Sequence, residues 1–69
     1  MHEDILKGKW KEIKGEVKKQ WGELTDDDLM QIEGDQTKLL GFLQERYGYA
    51  HDEAEKEFKK FMERHKRAA

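Results

Sequence analysis

Cysteine, serine and proline are all absent from this chain of 69 residues. Without cysteine no disulfide can form, and three scattered histidines do not complete a zinc motif. The lack of cysteine also fits a reducing compartment. Because proline is absent and β-branched residues are scarce, no segment is excluded from a helix. The composition therefore favours a helical protein, and we expect neither a cofactor nor a bound metal.

Long hydrophobic runs are missing as well. The longest largely apolar segment, residues 39–43, is far too short to span a bilayer. The first four residues, MHED, are polar and acidic, unlike the start of a signal peptide. We therefore expect a cytoplasmic protein without a membrane span.

The supply of apolar residues is small for a folded domain. Hydrophobic residues make up 35% of the chain and charged residues 43%. A chain of this length forms one domain at most, with a net stability of only about 3–5 kcal/mol. We therefore expect a single, marginally stable domain spanning residues 1–69, present as a monomer.

The net charge of −2 is unevenly distributed along the chain. Residues 25–45 carry six acidic side chains and a single lysine, whereas the flanking segments are nearly balanced. A nucleic-acid-binding domain is expected to have a strongly basic face. The charge pattern therefore disfavours nucleic acid as a partner and identifies no other partner.

A loose internal repeat relates the two halves of the chain. Its matching pairs are Leu6 and Ile32, Gly8 and Gly34, Ile13 and Leu39, Gly15 and Gly41, Val17 and Leu43, Trp21 and Tyr47, and Gly22 and Gly48. The polar residues between these pairs mostly do not match. The repeat, residues 6–32 and 32–58, therefore describes a fold rather than a reaction centre.

Apolar residues spaced three and four apart predict four amphipathic helices. Thr25 is the expected N-cap of the second helix, with Asp28 as its partner in an approximate capping box. Gly22, Gly34 and Gly48 are expected at helix ends, Gly22 in the left-handed conformation. The predicted bounds are residues 6–22, 26–34, 36–47 and 51–66.

Short connections make sequential helices pack as hairpins. We predict an all-α fold of four helices, arranged as two crossed α-hairpins related by an approximate internal duplication. Each hairpin alone exposes its apolar stripe, so neither half is expected to fold by itself. The aromatic residues expected in the core or at its edge, rather than in a base-stacking platform, are Trp10, Trp21, Tyr47 and Tyr49.

One side of the first predicted helix is a candidate partner face. Its residues are Lys7, Gly8, Lys11, Lys14, Gly15 and Lys18. The lysines suit phosphates, and the glycines leave a smooth face that a second helix or a partner can approach. Two simpler interpretations stand beside this one. The lysines pair at i,i+4 spacing with Glu12 and Glu16, and the glycines, at about 1 kcal/mol each, merely weaken the helix.

No combination of residues indicates catalysis, and we predict that the protein is not an enzyme. Besides tyrosine, its hydroxyl nucleophiles are limited to Thr25 and Thr37. The acidic run at residues 26–28 lacks the alternation and the glycine of a calcium-binding loop. Helix-start electrostatics explain that run. The histidines are expected at ordinary surface or edge positions.

Three segments carry a resemblance to a known family. They read GKWKEIKG (residues 8–15), WGELTDDD (residues 21–28) and QERYGY (residues 44–49). Together with the order and spacing of all six glycines, they resemble the CsbD-like family of small bacterial stress proteins. The resemblance covers nearly the whole chain and is lost mainly after Phe58. It implies a compact four-helix fold of the sterile-alpha-motif type and synthesis under general stress in the bacterial cytoplasm. It implies no catalytic or binding residue.

Two functional hypotheses follow. The first is a non-enzymatic stress-response protein that protects cell components through abundance and hydration, like a hydrophilin, under osmotic, drying or stationary-phase stress. Its basis is the charged composition, the six glycines and the mean hydropathy of −1.19. The alternative is a small helical binding module that recognises a protein or nucleic-acid partner through the helix-one lysines or the glycine face.

Overall fold

The computed structural model describes the backbone of residues 6–68 and the side chains of residues 6–65. Within this range the chain contains helices and no strand, which confirms the predicted all-α class. A short helical segment, residues 6–8, comes first. The helices that follow are α1 (Trp10–Gln20), α2 (Asp26–Ile32), α3 (Gln36–Tyr47) and α4 (His51–Ala68).

The prediction of one continuous first helix is wrong at both ends. Lys9 breaks the helix, with φ −113° and ψ 18°, and separates residues 6–8 from α1. At the other end the chain leaves the helix at Trp21, whose φ of −124° and ψ of 80° are not helical. Gly22 does not have a positive φ. The early exit brings the Trp21 ring into the core, 5.1 Å from the ring of Phe61.

The start of α2 forms as predicted. The Thr25 hydroxyl accepts a hydrogen bond from the Asp28 N–H at 3.1 Å, and the Asp28 carboxylate accepts one from the Thr25 N–H at 3.1 Å. These reciprocal bonds complete the capping box. At its other end α2 is terminated by two consecutive left-handed residues, Glu33 at φ 46° and Gly34 at φ 83°.

The bounds of α3 agree with the predicted ones. Asp35 caps its start by accepting a hydrogen bond from the Lys38 N–H at 3.1 Å. Gly48 ends it in the left-handed conformation, at φ 70°, as expected for a glycine after the last turn. The last helix, α4, begins at the predicted residue His51 and continues two residues past the predicted end, to Ala68.

All of the helices contribute to one hydrophobic core. Its buried members are Leu6, Ile13, Val17, Trp21, Leu24, Leu29, Ile32, Leu39, Leu40, Leu43, Ala54, Phe58 and Phe61. Trp10, Phe42, Tyr47, Tyr49 and Met62 pack against this core from partly buried positions. The expected core and edge placement of the aromatic residues is therefore confirmed.

The close helix pairs include the predicted second hairpin but not the predicted first one. The helices whose backbones pack closely are α3 with α4 and α2 with α3. The expected first hairpin, α1 with α2, is not among the closely packed pairs of described helices. Instead α1 joins the core through its side chains, Ile13 and Val17, both fully buried. The finer description as two crossed, duplicated hairpins stays a prediction.

The glycines differ in what they contribute to stability, and substitution by alanine separates them. A Cβ at Gly15 or Gly41 would meet nothing within 4 Å. Alanine at either position is expected to raise the free energy of unfolding by about 0.5–1 kcal/mol, a melting point increase of a few degrees. At Gly34 a Cβ would lie 2.8 Å from the Lys7 Cα, so Gly34→Ala is expected to destabilise the protein most.

Gly48→Ala is the matched control for this series. Gly48 shares the positive φ of Gly34 but has open space around its Cβ direction. Thermal unfolding followed by circular dichroism should therefore place Gly48→Ala between the parent and Gly34→Ala. Equal melting points for Gly34→Ala and Gly48→Ala would contradict the close contact with Lys7.

Candidate functional site

The predicted partner face lies on residues 6–8 and on α1. Its six residues, Lys7, Gly8, Lys11, Lys14, Gly15 and Lys18, are all exposed. On a helical wheel three of the four lysines of α1, Lys11, Lys14 and Lys18, lie within an arc of about 60°. Neighbouring positions in this row carry the same charge at i,i+3 and i,i+4 spacing, an arrangement that opposes helix formation. The lysines of this face thus form a basic stripe, the lysine stripe, and Gly8 and Gly15 form its glycine side.

The simpler interpretation of these lysines, pairing with Glu12 and Glu16, is wrong. Both glutamates lie more than about 100° around the helix from the lysine stripe. Between the described residues, the single ion pair that any lysine of the stripe forms joins Lys18 Nζ to Asp26 Oδ1 at 3.2 Å. The Asp26 side chain is 92% exposed, and a surface pair of this kind contributes little to stability.

The glycine side is open within the described chain. A Cβ added at Gly8 or Gly15 would meet no described atom within 4 Å, so no other described helix packs against them. The close approach occurs at Gly34, for which a helix end alone was the expected explanation. Binding of a partner at the lysine and glycine face stays a prediction.

An ionic centre lies elsewhere, where α2 begins and α3 ends; its carboxylate is buried, whereas the side chain of its arginine, Arg46, is 41% exposed. The Asp28 side chain is 3% exposed, and it receives two hydrogen bonds from Arg46. Arg46 Nη2 donates to Oδ1 at 2.9 Å, and Arg46 Nε donates to Oδ2 at 3.1 Å. With the Thr25 N–H as a third donor, the carboxylate is well satisfied. Such a bidentate ion pair orients the guanidinium and also neutralises the charge of the carboxylate.

The ionic centre shifts the pKa values of both partners. The hydrogen bond from Arg46 lowers the pKa of the Asp28 carboxyl below its ordinary value of 3.8, against the raising effect of burial. The same hydrogen bond raises the pKa of Arg46. Arg46 also lies over the Phe42 ring, 5.8 Å from its centroid.

Sequence reasoning identified Asp28 as a capping residue but assigned the charges of residues 26–28 to the helix start, and so missed the pairing with Arg46. One signal distinguishes Asp28 from its neighbours: it stands four residues before Ile32, on the buried stripe of α2. Asp26 and Asp27 lie off that stripe and are exposed. The partner, Arg46, lies 18 residues away and has no local signature.

A tyrosine pair adjoins the ionic centre. The Tyr47 hydroxyl accepts a hydrogen bond from the Glu23 N–H at 3.1 Å, which ties the connection between α1 and α2 to the end of α3. The rings of Tyr47 and Tyr49 stack with centroids 5.4 Å apart. Burial raises the pKa of Tyr49, and the nearby Glu57 carboxylate adds to the rise.

The remaining polar groups form no ligand cluster in the described part of the chain. Among those residues, no three His, Cys, Asp or Glu side chains are placed to hold a metal ion. His51 is exposed and lies 3.6 Å from Glu55, whereas His65 stacks on Phe61 with ring centroids 6.0 Å apart. His2 lies outside the described residues. No described helix has both the length and the apolar character needed to cross a membrane.

These features define a small all-helical protein whose described helices surround one apolar core, with an ion pair between the buried Asp28 of α2 and the partly exposed Arg46 of α3. The model of the CsbD-like family matches residues 4–56. The chain therefore belongs to the CsbD-like family, a family associated with the general stress response. The match ends at residue 56, two residues before Phe58.

Several curated proteins are similar to this chain over nearly its whole length. The UPF0337 protein pc0632 of Protochlamydia amoebophila is 50% identical over 66 residues, which cover 96% of this chain and 100% of that protein. The UPF0337 protein YjbJ of Escherichia coli O6:H1 is 54% identical over 65 residues, 94% of each chain. The UPF0337 protein PA4738 of Pseudomonas aeruginosa is 48% identical over 64 residues, 93% of this chain and 98% of its own.

The names of these relatives state no activity, substrate or partner. No solved structure matches the chain at a significant level. The comparisons therefore establish the family but identify no activity, substrate or partner.

The ionic centre predicts how stability depends on pH. Because the native pKa of Asp28 is lowered, the unfolded state binds more protons in acid, and stability falls as pH falls. The Asp28 contribution is complete above about pH 5 and declines below the ordinary value of 3.8. Asp28→Asn should lower the free energy of unfolding at pH 7 by about 1–2 kcal/mol. It should also lose less stability than the parent protein as the pH falls from about 5 to about 2.

Urea unfolding at a series of pH values measures this effect. Asp27→Asn is the control, because Asp27 lies in the same helical turn but is exposed. The control should keep the acid dependence of the parent. An Asp28→Asn variant with the same acid dependence as the parent would show that the ion pair does not couple protonation to folding.

Proposed function

We propose that this protein is a non-enzymatic, hydrophilin-like protectant that acts by abundance and hydration in the cytoplasm under osmotic, drying or stationary-phase stress. Family membership supports the stress context. The observation that carries the proposal is the division of residues between core and surface. Charged side chains make up 43% of the chain, and of the charged residues described, Asp28 alone is buried.

This surface suits a molecule that holds water without binding other proteins tightly. Among the described residues, Met30 is the one large hydrophobic side chain that is exposed. Large exposed apolar patches usually mark interfaces with other proteins or with membranes. A surface with so little apolar area offers hydrated charge to its surroundings and few adhesive contacts.

Protection of a labile enzyme through drying is the direct test. The enzyme is dried and rehydrated with increasing molar ratios of this protein, and the recovered activity is compared with that given by an inert protein of equal size. We expect clearly greater recovery with this protein at modest molar ratios. Recovery no better than with the inert protein would eliminate the hydration role.

Asp28→Asn separates the folded from the unfolded form when the assay begins at a temperature between the melting points of the variant and the parent. This variant keeps the size and nearly all of the charge of the parent, but it loses the charge-assisted bonds to Arg46. If the folded surface protects, the variant should lose protection as it unfolds. If hydration alone protects, it should match the parent.

The lysine stripe favours a second candidate function, that of a binding module for an acidic partner. Lys11 and Lys14 form no ion pair with any other described residue. Like charges at neighbouring positions cost stability in the free helix, and binding of phosphates would offset that cost. The overall net charge of −2 opposes nucleic acid as a strong ligand, so any such binding is expected to be weak.

Charge reversal on α1 tests this second candidate. Fluorescently labelled single- and double-stranded nucleic acids are titrated at low and moderate salt with the parent, with Lys14→Glu and with Lys59→Glu. Lys59→Glu is an equal charge change at an exposed position of α4. Binding through the stripe predicts loss of affinity with Lys14→Glu alone and a steep fall with salt. Equal effects of the two variants, or no binding by the parent, would count against it.

A further inference from the structure

An open groove of about 540 Å³ lies between α2 and α3. Its apolar part consists of Met30 from α2 and of Gly41 and Phe42 from α3. Met30 is 66% exposed, whereas Phe42 is partly buried against the core. At Gly41 a Cβ would meet nothing within 4 Å, so the surface of α3 is open at this glycine. We call these three residues, with the charged residues at their border, the Met30 face.

The border of the Met30 face carries charges of both signs. Lys38 and Glu45 lie on α3, and Glu33 lies at the end of α2. None of the three forms an ion pair with another described residue. Their charges are therefore available to a partner whose border has the opposite pattern.

The spacing of these residues along α3 is symmetric. Lys38 and Glu45 lie at equal distances on either side of the midpoint between Gly41 and Phe42, about 10 Å apart along the helix. When two copies of α3 cross antiparallel at that midpoint, a two-fold axis places Lys38 of each copy opposite Glu45 of the other. The same axis places the ring of Phe42 over Gly41 of the other copy. The charge pattern is thus complementary to itself.

We propose that the Met30 face binds a second copy of this chain in a two-fold symmetric dimer. In this dimer the α3 helices cross at Gly41, two Lys38–Glu45 pairs form at the border, and the two Met30 side chains become covered. An interface in which both copies use the same surface is the commonest form of homodimer. Because the face is small, the dimer is weak and forms at high protein concentration, while the dilute protein is a monomer. The proposal does not depend on the protective role.

Sedimentation velocity and NMR diffusion test the proposal by measuring the dissociation constant of the dimer at low salt. The protein concentration runs from about 10 µM to about 1 mM, a range suited to weak association. Lys38→Glu and Glu45→Lys should each raise the dissociation constant by about tenfold, because each places like charges opposite one another. The double variant, with both charges reversed, should restore the parent's dissociation constant. Lys56→Glu, an equal charge change at an exposed position of α4, is the control and should change nothing.

A second variant tests the open space at Gly41 rather than the charges at the border. Gly41→Leu should abolish the dimer, because its side chain occupies the space that receives Phe42. The variant should keep its fold, because a side chain at this position meets open space and leucine favours a helix more than glycine does. Circular dichroism checks the fold of every variant.

Two outcomes would overturn the proposal. One is a parent protein that remains a monomer up to about 1 mM. The other is a double charge reversal that fails to restore a dimer lost in both single variants. A loss of dimer with Lys56→Glu equal to that with Lys38→Glu would likewise assign the association to net charge rather than to this face.

Discussion

The ion pair between Asp28 and Arg46 is the interaction on which the arrangement of the helices depends. Asp28 lies in the first turn of α2, and Arg46 lies in the last turn of α3. The third donor to the carboxylate, the Thr25 N–H, lies in the connection that precedes α2. A carboxylate this well buried is costly unless each of its acceptor positions is satisfied. Three donors satisfy it here, so the start of α2 and the end of α3 are held in one relative position. A hydrophobic contact of similar size would fix that position less narrowly, because it has no preferred direction.

A second connection reinforces the same junction. The Tyr47 hydroxyl accepts a hydrogen bond from the Glu23 N–H. Tyr47 follows Arg46 in the sequence, and Glu23 lies two residues before Thr25. The segment between α1 and α2 is therefore joined to the end of α3 directly at Glu23 and, through the Asp28 carboxylate, at Thr25. This fastening explains how α1 stays in place although its backbone does not pack closely against α2. Trp21, at the start of the fastened segment, carries the chain out of α1 and into the core.

Much of the fold could be predicted from the sequence where the signal was local. The capping box at Thr25 and the bounds of α3, including the left-handed Gly48, depend on residues within one helical turn and were confirmed. The core residues followed from apolar spacing, because helical periodicity determines which side chains share a face. The break at Lys9 and the extended Trp21 could not be predicted in this way. They depend on where the chain must go next, which is a property of the packed structure rather than of the local sequence.

The surface features were harder to predict for the same reason. Gly8 and Gly34 are equivalent in the repeat, yet one is open and the other is pressed against the Lys7 backbone. The difference comes from what lies beside each glycine and not from the glycine itself. The groove beside Met30 is likewise lined by residues of both α2 and α3, so neither helix alone reveals it. In the proposed hydration role, a protein at high concentration gains from covering Met30, the one exposed large apolar side chain among the described residues, because exposed apolar groups favour unspecific adhesion. Pairing of like copies through such a face would therefore leave a surface that is almost entirely charged and polar, which is the property that the hydration role requires.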